Sequence, residues 1–447
     1  MLATGKAVAP TDSRIPGFYR LSLAERQSLV ANRVQTPIED LKHLLNHGGL
    51  TPDIADKIVE NSIGTYALPF GLALNFCIND IDRLVPMVVE EPSVIAAASN
   101  AARIARMSGG FIGSTVEGWM TGQIEVRGVE DTSTAIASLR DEQSRLFEMA
   151  AASTPGLTAR GGGPREFTFR DLGGGILVVH IHVDCKDAMG ANLVNTIAEA
   201  IGPEIARVAV GRLGLRILTN LCDRRRFRAQ CRIPVSHLAT STEHSLAPQE
   251  ALRTGSQVAI AIEEASHLAE IDPYRASTHN KGIMNGVDAV VMATGNDTRA
   301  VEAGAHAWAA QNGQYGPLAR WHVESDFLFG RLEMPLALGT VGGTLRVHPT
   351  AQWALSLLGV ASASELSEII ACVGLATNFS ALRVLATSGI QRGHMSLHAR
   401  SVAISAGAGP DEVEDVARLI VECGHISEAS AKSILRRMRV EHLEGKP

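Results

Sequence analysis

One stretch of this chain gathers the side chains needed to stabilise an oxyanion. Residues 272–304 read DPYRASTHNKGIMNGVDAVVMATGNDTRAVEAG and set Arg275, His279, Lys281, Asn285, Asp288, Asn296 and Asp297 among short apolar segments. A lysine drawn into a cleft needs a carboxylate, because an unpartnered buried cation is costly, and Asp297 could supply it. Asn296 or Asp297 could equally cap the small-residue helix that continues through Ala300, Val301, Ala303 and Ala307. Spacing leaves both readings open.

Three further groups could do chemistry. Glu90 and Glu91 precede Pro92, a residue tolerated in a first helical turn. There the helix dipole would keep both acids ionised, whereas burial and the like-charged neighbour would favour one protonated acid able to donate. His394 and His398 lie four apart in HMSLH and would share a helix face, which raises a zinc site. The HExxH pattern requires Glu where Met395 stands, and no nearby Cys or carboxylate completes a ligand set, so no metal is expected. For a dinucleotide there is neither GxGxxG nor GxxxxGK[ST]. DAMGAN, residues 187–192, instead follows a strand and opens a helix, where backbone N–H groups suit a pyrophosphate.

Several elements must position these groups. A chain of 447 residues with 45% hydrophobic residues and a net charge of −6 has room for two or three domains, and shows no general attraction to nucleic acid or membrane surfaces. Cys77, Cys185, Cys222, Cys231, Cys372 and Cys423 are scattered without CxxC spacing, which fits reduced thiols in the cytoplasm. The first twenty residues lack a signal-like apolar core, and no uninterrupted apolar run approaches ~20 residues, so a soluble protein is expected. Residues 94–105 are small or apolar nearly all round and predict a buried central helix. Strand 123–129, helix 132–151, strands 166–172 and 176–184, helix 189–206 and strand 213–219 follow the β-α-β-β-α-β order of a ferredoxin-like unit. The Asp223–Arg228 run (DRRRFR) reads as a solvated face. The expected fold is α+β. A large, mostly helical domain (1–116 and 228–388) surrounds the central helix, a ferredoxin-like domain (117–227) is inserted, and a charged helical C-terminal part (389–447) follows.

The opening stretch closely resembles 3-hydroxy-3-methylglutaryl-coenzyme A (HMG-CoA) reductase of the soluble bacterial class (class II). So do ENSIGTYALPFGLALNF from Glu60, LVPMVVEEPSVIAAAS from Leu84, DAMGANLVNTIAEAI from Asp187, GTVGGTLRVHP from Gly339 and GIQRGHMSLHAR from Gly389, in the family's order. The resemblance implies interconversion of HMG-CoA and mevalonate plus coenzyme A. Two NADH- or NADPH-dependent hydride transfers would pass through mevaldyl-CoA and mevaldehyde. It implies Lys281 as oxyanion stabiliser, Glu91 as proton donor, Asp297 as the acid that holds their network, and His394, on a closing C-terminal flap, as donor to the thiolate. Ser93, Arg275 and Asn285 would contact the hydroxymethylglutaryl group. Asp187, Met189, Gly190, Ala191 and Asn192, with Asn220, would line the cofactor site. A homodimer or higher even oligomer is implied, with residues 60–75 at its interface. Upstream of the triple glycine the chain has Ser153 and Thr154 and no acid to hold a ribose hydroxyl; this leaves NADPH open, and Arg160 could favour it. The rival readings are a catalytically silent ligand-binding relative, against which all four acting residues are present, and a metal-dependent hydrolase using His394 and His398.

Overall fold

Two apolar runs, Phe70–Ile78 (β1) and Ile81–Val88 (β2), are joined by Asn79 and Asp80, whose φ angles of 50° and 62° make the left-handed turn that matches strand twist. The computed structural model describes residues 12–239, 248–387 and 399–444. Before this hairpin come α1 (Leu23–Arg33), α2 (Ile38–Leu45) and α3 (Pro52–Ile58). After it come α4 (Val94–Arg106), β3 (Phe111–Gly118) and β4 (Met120–Arg127), then α5 (Thr132–Asp141), α6 (Gln143–Ser153) and α7 (Pro155–Thr158). There follow β5 (Gly163–Asp171), β6 (Ile176–Asp184), α8 (Ala191–Val208), β7 (Arg212–Leu218) and β8 (Arg225–Pro234). The rest comprises α9 (Pro248–Ile271), α10 (Pro273–Ala293), α11 (Thr298–Ala309), β9 (Ala319–Glu324), β10 (Phe327–Pro335), α12 (Pro349–Leu358), α13 (Ala363–Ala386), α14 (Val413–Glu422) and α15 (Glu428–Glu444).

Two sheets result. One has the order β5-β6-β4-β7, all antiparallel, with α5, α6 and α8 supplying its apolar cover; this is the ferredoxin-like unit. The expected single helix over 132–151 is broken at Glu142. The other sheet has six strands in the order β2-β1-β3-β8-β10-β9 and lies among the more numerous helices of the large body. Of its strands β2 is buried continuously from Arg83 to Met87 and so lacks the alternation that flags a strand, whereas β3, β8 and β9 alternate buried with more open positions. The ferredoxin-like unit is inserted between β3 and β8, which pair antiparallel from Phe111↔Cys231 out to Gly118↔Arg225. A further bond from Trp119 N to Arg224 O, 2.7 Å, carries this pairing into the insert, so the neck is a two-strand ladder.

The buried central helix is α13. Residues 94–105 do form a helix, yet α4 buries one face only, while α13 buries sixteen of its twenty-four residues. By length and apolarity α13 could cross a membrane, but its apolar surface is spent on α10, α4 and the six-stranded sheet. The run at Asp223–Arg228 is not a solvated face either. Arg224 pairs with Glu117 and Glu166, Arg226 and Arg228 pair with Glu333, and Arg225 is buried. The C-terminal residues 399–444 are helical around their own small core of Ala403, Val416, Ile420, Ala431, Ile434 and Leu435.

Helices α10 and α13 touch through glycine. A Cβ at Gly286 would lie 2.6 Å from Thr377 Oγ1 and 3.1 Å from Val373 O, closer than side chains tolerate. Gly286→Ala gains helix propensity but must push α10 off α13. Overpacking of this kind costs about 1–3 kcal/mol and outweighs the gain of at most ~1 kcal/mol. Urea denaturation should show a lowered midpoint with unchanged slope.

Candidate active site

The Asp272 carboxylate accepts hydrogen bonds from the N–H groups of Tyr274 and Arg275, and Pro273 fills the first helical position, so α10 starts on a strong cap. Its exposed face carries Lys281, Asn285, Asp288 and Met292 at three- and four-residue spacing. Facing them is the turn that connects β2 to α4. Lys281 Nζ meets Glu91 Oε2 at 2.6 Å, and Asn285 Nδ2 donates to the same oxygen at 3.4 Å. The Lys281 side chain is 61% exposed and that of Glu91 34%, so in the single chain the pair is open to water.

Glu90 and Glu91 do not occupy a first helical turn. The helix begins at Val94 with Ser93 as its N-cap at φ 76°, and both acids precede that cap. Asp297 caps α11: its Oδ1 accepts from Arg299 N at 3.1 Å and Ala300 N at 3.2 Å, and meets Arg299 Nε at 3.4 Å. Among the described residues no ion pair joins Asp297 to Lys281. Arg275 lies six residues before Lys281, roughly 120° around the helix, and is not part of the Lys281–Glu91 cluster. Its guanidinium is half-buried, with burial lowering its pKa, and no carboxylate pairs with it among the described residues. His394 and His398 fall outside the described residues.

The back of α10 fixes the front. Asn280 is wholly buried; it donates to Tyr315 Oη at 3.0 Å and Gly316 O at 2.9 Å, and accepts from Leu318 N at 2.9 Å. His279 beside it is also buried, and burial lowers its pKa to about 4, so its imidazole is neutral. A cleft of about 300 Å³ extends from Glu91 along α10, lined by Glu90, Asn285, Asp288, Arg299 and Glu302 among others. Burial and the adjacent Glu302 carboxyl raise the Asp288 pKa to about 8, so this pair holds a proton at neutral pH. Sequence reading placed Asp288 in the polar cluster without a role, and Glu302, a turn into the next helix, gave no signal.

The DAMGAN segment links β6 to α8. Gly190, at φ 107°, is the N-cap and offers no side chain, so the amides of the first turn of this eighteen-residue helix are uncapped. Such an end suits a phosphate. Asn192 and Asn220 are exposed, and Met189 and Ala191 are half-buried. Asp187 is already engaged: its Oδ1 accepts from Ala363 N at 3.0 Å, at the head of α13, and its carbonyl accepts from Thr340 N at 2.9 Å. Ala188 bridges to Val341. The next link escaped sequence reading: Gly339 N donates to Asn296 Oδ1 at 2.8 Å, tying the glycine turn to the residue beside Asp297.

A family model described as hydroxymethylglutaryl-coenzyme A reductase matches residues 22–399. The chain is 44% identical over 440 residues to a 3-hydroxy-3-methylglutaryl-coenzyme A reductase of Archaeoglobus fulgidus, covering 98% of this chain and 97% of that one. It is 36% identical over 388 residues to a probable enzyme of the same name from Borreliella burgdorferi, covering 86% and 85%. A 3-hydroxy-3-methylglutaryl-coenzyme A reductase structure from Streptococcus pneumoniae superimposes with a TM-score of 0.79 at 36% identity, over 95% of this chain and 99% of that one. A class II reductase from the same organism, bound to NADPH in open conformations, gives 0.78 at 37% identity, over 83% and 99%.

The Asp288–Glu302 pair has a thermodynamic signature. The folded state holds the Asp288 proton more tightly than the unfolded chain, whose aspartate titrates near 3.9. Its contribution is therefore complete below about pH 4 and lost as pH rises towards about 8. Asp288→Asn should remove that decline, so its urea midpoint relative to the parent should improve between about pH 5 and about pH 8. A parallel profile would show that the pair holds no proton.

Proposed function

We infer the working of this site from one premise: the chain belongs to the hydroxymethylglutaryl-coenzyme A reductase family and is an NAD(P)H-dependent oxidoreductase. It interconverts HMG-CoA with mevalonate and coenzyme A. The observation that carries the assignment of roles is the Lys281–Glu91 contact at 2.6 Å, at the mouth of the cleft along α10.

The bound dinucleotide supplies a hydride at each of the two reductions. Lys281 has three N–H donors; one is spent on Glu91, and the others are free for the thioester oxygen as it gains charge. When the thiohemiacetal of mevaldyl-CoA collapses, the C–S bond breaks, and His394 gives its proton to the departing thiolate. Lys281 then polarises the carbonyl of mevaldehyde, and Glu91, having taken up a proton from water at the open cleft, passes it to the alkoxide left by the second hydride. Asn285 holds Glu91 towards Lys281 and reaches substrate with Ser93, while Asp297 steadies the charge balance from the head of α11. The uncapped start of α8, with residues 187–192 and Asn220, would hold the dinucleotide pyrophosphate.

The two sheets and the separate C-terminal core support division into a substrate body (1–116 and 228–388), a cofactor unit (117–227) and a C-terminal flap (389–447). We place the working site at the interface of a homodimer. Val59, Ile63 and Tyr66 stand exposed on one irregular segment, Lys281 is open to water, and Arg275 has no carboxylate partner among the described residues. A second copy would cover the first two and bring an unpaired guanidinium to the substrate carboxylate, which it grips bidentately. The free thiols agree with a reducing cytoplasm. Exposed Arg160 stands beside the triple glycine, close to Arg165 and Lys186 where they pair with Asp184, and this basic margin favours NADPH over NADH.

HMG-CoA-dependent oxidation of NADPH, followed spectrophotometrically, tests the reading, with NADH alongside. Lys281→Met should lower kcat by roughly 10²–10³ or more, the worth of a lost oxyanion donor, with the fold retained. Near-parental turnover in that variant would remove Lys281 from the chemistry. Equal rates with the two dinucleotides would remove the role given to Arg160.

A further inference from the structure

Strand β8 alternates strictly. Arg225, Phe227, Ala229, Cys231 and Ile233 point inward, with Arg226 and Arg228 half-buried between them. Arginine is out of place in such an inward slot, and Arg225 is only 3% exposed. Its neighbours Arg224, Arg226 and Arg228 each meet a glutamate, but Arg225 pairs with no carboxylate among the described residues. Its Nη1 donates to Ala188 O at 3.2 Å and Met189 O at 2.7 Å, and its Nη2 to Leu338 O at 2.6 Å. The guanidinium thus stands at the neck of the insert, at the register Gly118↔Arg225, and holds two loops from beneath.

Two consequences follow. A trans peptide sets its N–H opposite its C=O, so turning the Met189 carbonyl to Arg225 turns the Gly190 N–H away, towards the side on which α8 begins. Carbonyls also solvate the guanidinium without neutralising it, so its charge stands under a helix start that is itself the positive end of a dipole, offset only through space by the Asp184 and Asp187 carboxylates.

We propose that Arg225 is the positioning residue of the dinucleotide site: it aims the amides at the head of α8 at the pyrophosphate, adds its charge from below, and holds residues 338–339 in the same grip. This rests on the reading that residues 187–192 seat the dinucleotide. Through Gly339 N and Asn296 Oδ1 the same clamp reaches the turn that bears Asp297, so the cofactor loop and the acid of the reaction share one support. A carboxylate partner in place of the carbonyls would have stabilised Arg225 equally well but removed the charge from the phosphate. The absence of such a partner is what separates Arg225 from the paired arginines around it.

The test uses the full chain. Arg225→Lys keeps the charge but cannot span three carbonyls, and Arg225→Gln also loses the charge. Fluorescence titration with NADPH alone should show Kd raised roughly tenfold in the lysine variant, the worth of one hydrogen bond from a charged group, and further in the glutamine variant. The KM for HMG-CoA should stay at the parental value, a split that general loosening of the fold would not produce. Gly190→Val serves as the control, since a Cβ there would lie 2.5 Å from Cys185 Sγ. If Gly190→Val binds NADPH normally, the loop is not the cofactor seat. If it loses binding while a folded Arg225→Lys binds normally, the role of Arg225 is overturned. Should neither Arg225 variant fold, hydrogen exchange on the unaltered protein decides. NADPH alone should slow the Gly339 and Thr340 amides along with residues 189–193, and protection confined to 189–193 overturns the clamp.

Discussion

An ammonium held against a carboxylate in open water contributes little stability, typically ~0–1 kcal/mol. The Lys281–Glu91 contact therefore cannot organise the fold; the fold has to organise the contact. It does so from behind. The reverse of α10 buries Asn280, His279, Ile283, Gly286, Val287 and Val290, and the glycine contact with α13 leaves the helix little freedom to rotate. A rotation large enough to separate Lys281 from Glu91 would expose apolar side chains and break the three Asn280 hydrogen bonds. Glu91 is set from the other side by β2, whose residues from Arg83 to Met87 are buried. The same exposure that makes the pair weak would also limit the oxyanion role proposed for Lys281. Coulomb energy between unit charges ~4 Å apart rises from about 1 kcal/mol in water to about 4 kcal/mol at the dielectric typical of partly enclosed protein sites. Whatever covers Lys281 completes the site by excluding water.

Hydride transfer tolerates little error in distance, so the proposed cofactor seat at the head of α8 and Lys281 on α10 must belong to one frame. The contacts supply that frame through backbone. The Asp187 carbonyl takes Thr340 N, Ala188 bridges to Val341, and Gly339 N reaches the Asn296 side chain, whose own amide donates to the carbonyl and hydroxyl of Thr294. Gly339 is required for the approach, since a Cβ there would come 2.6 Å from Met189 N. Asp297 then caps α11 one residue beyond Asn296. Its capping bond is thus no rival to a place in the network, because it uses Oδ1 alone and fixes the carboxylate to a helix that cannot drift.

Much of this was legible in the sequence, and what was not failed for identifiable reasons. The ferredoxin-like order could be read because its strands alternate and its helices are amphipathic, and its elements fall within a few residues of expectation. In the six-stranded sheet β2 was hidden because a strand covered on both faces loses its period of two, while β3, β8 and β9 do alternate. The central helix was misplaced because small residues in α4 look buried in every direction, whereas α13 carries Ser367, Thr377, Asn378 and Ser380 and reads as less apolar than its surroundings make it. Three of those polar groups are satisfied locally or by a neighbour: Ser367 and Thr377 by carbonyls of their own helix, and Asn378 by the Trp321 indole N–H at 2.8 Å. The Lys281–Glu91 contact joins residues 190 positions apart. No spacing rule brings them together, and only the resemblance did. Arg225 gave no signal because a run of charged residues reads as a solvated face, and nothing in the sequence separates it from Arg224, Arg226 and Arg228.

The way the insert is attached bears on which part can close over the site. Its two connecting strands remain paired to the exit, and Glu117, Arg224, Arg226 and Glu333 lace the same neck with partly buried ion pairs. Swinging the ferredoxin-like unit would break ladder hydrogen bonds, strip those pairs, and pull Arg225 from three carbonyls it cannot replace in a dry interior. Residues 399–444 carry no strand and are organised around their own small core, so they can be displaced without opening either sheet. If the C-terminal part closes as proposed, such a motion would leave the proposed dinucleotide seat untouched, which a reaction needs when coenzyme A departs between two reductions.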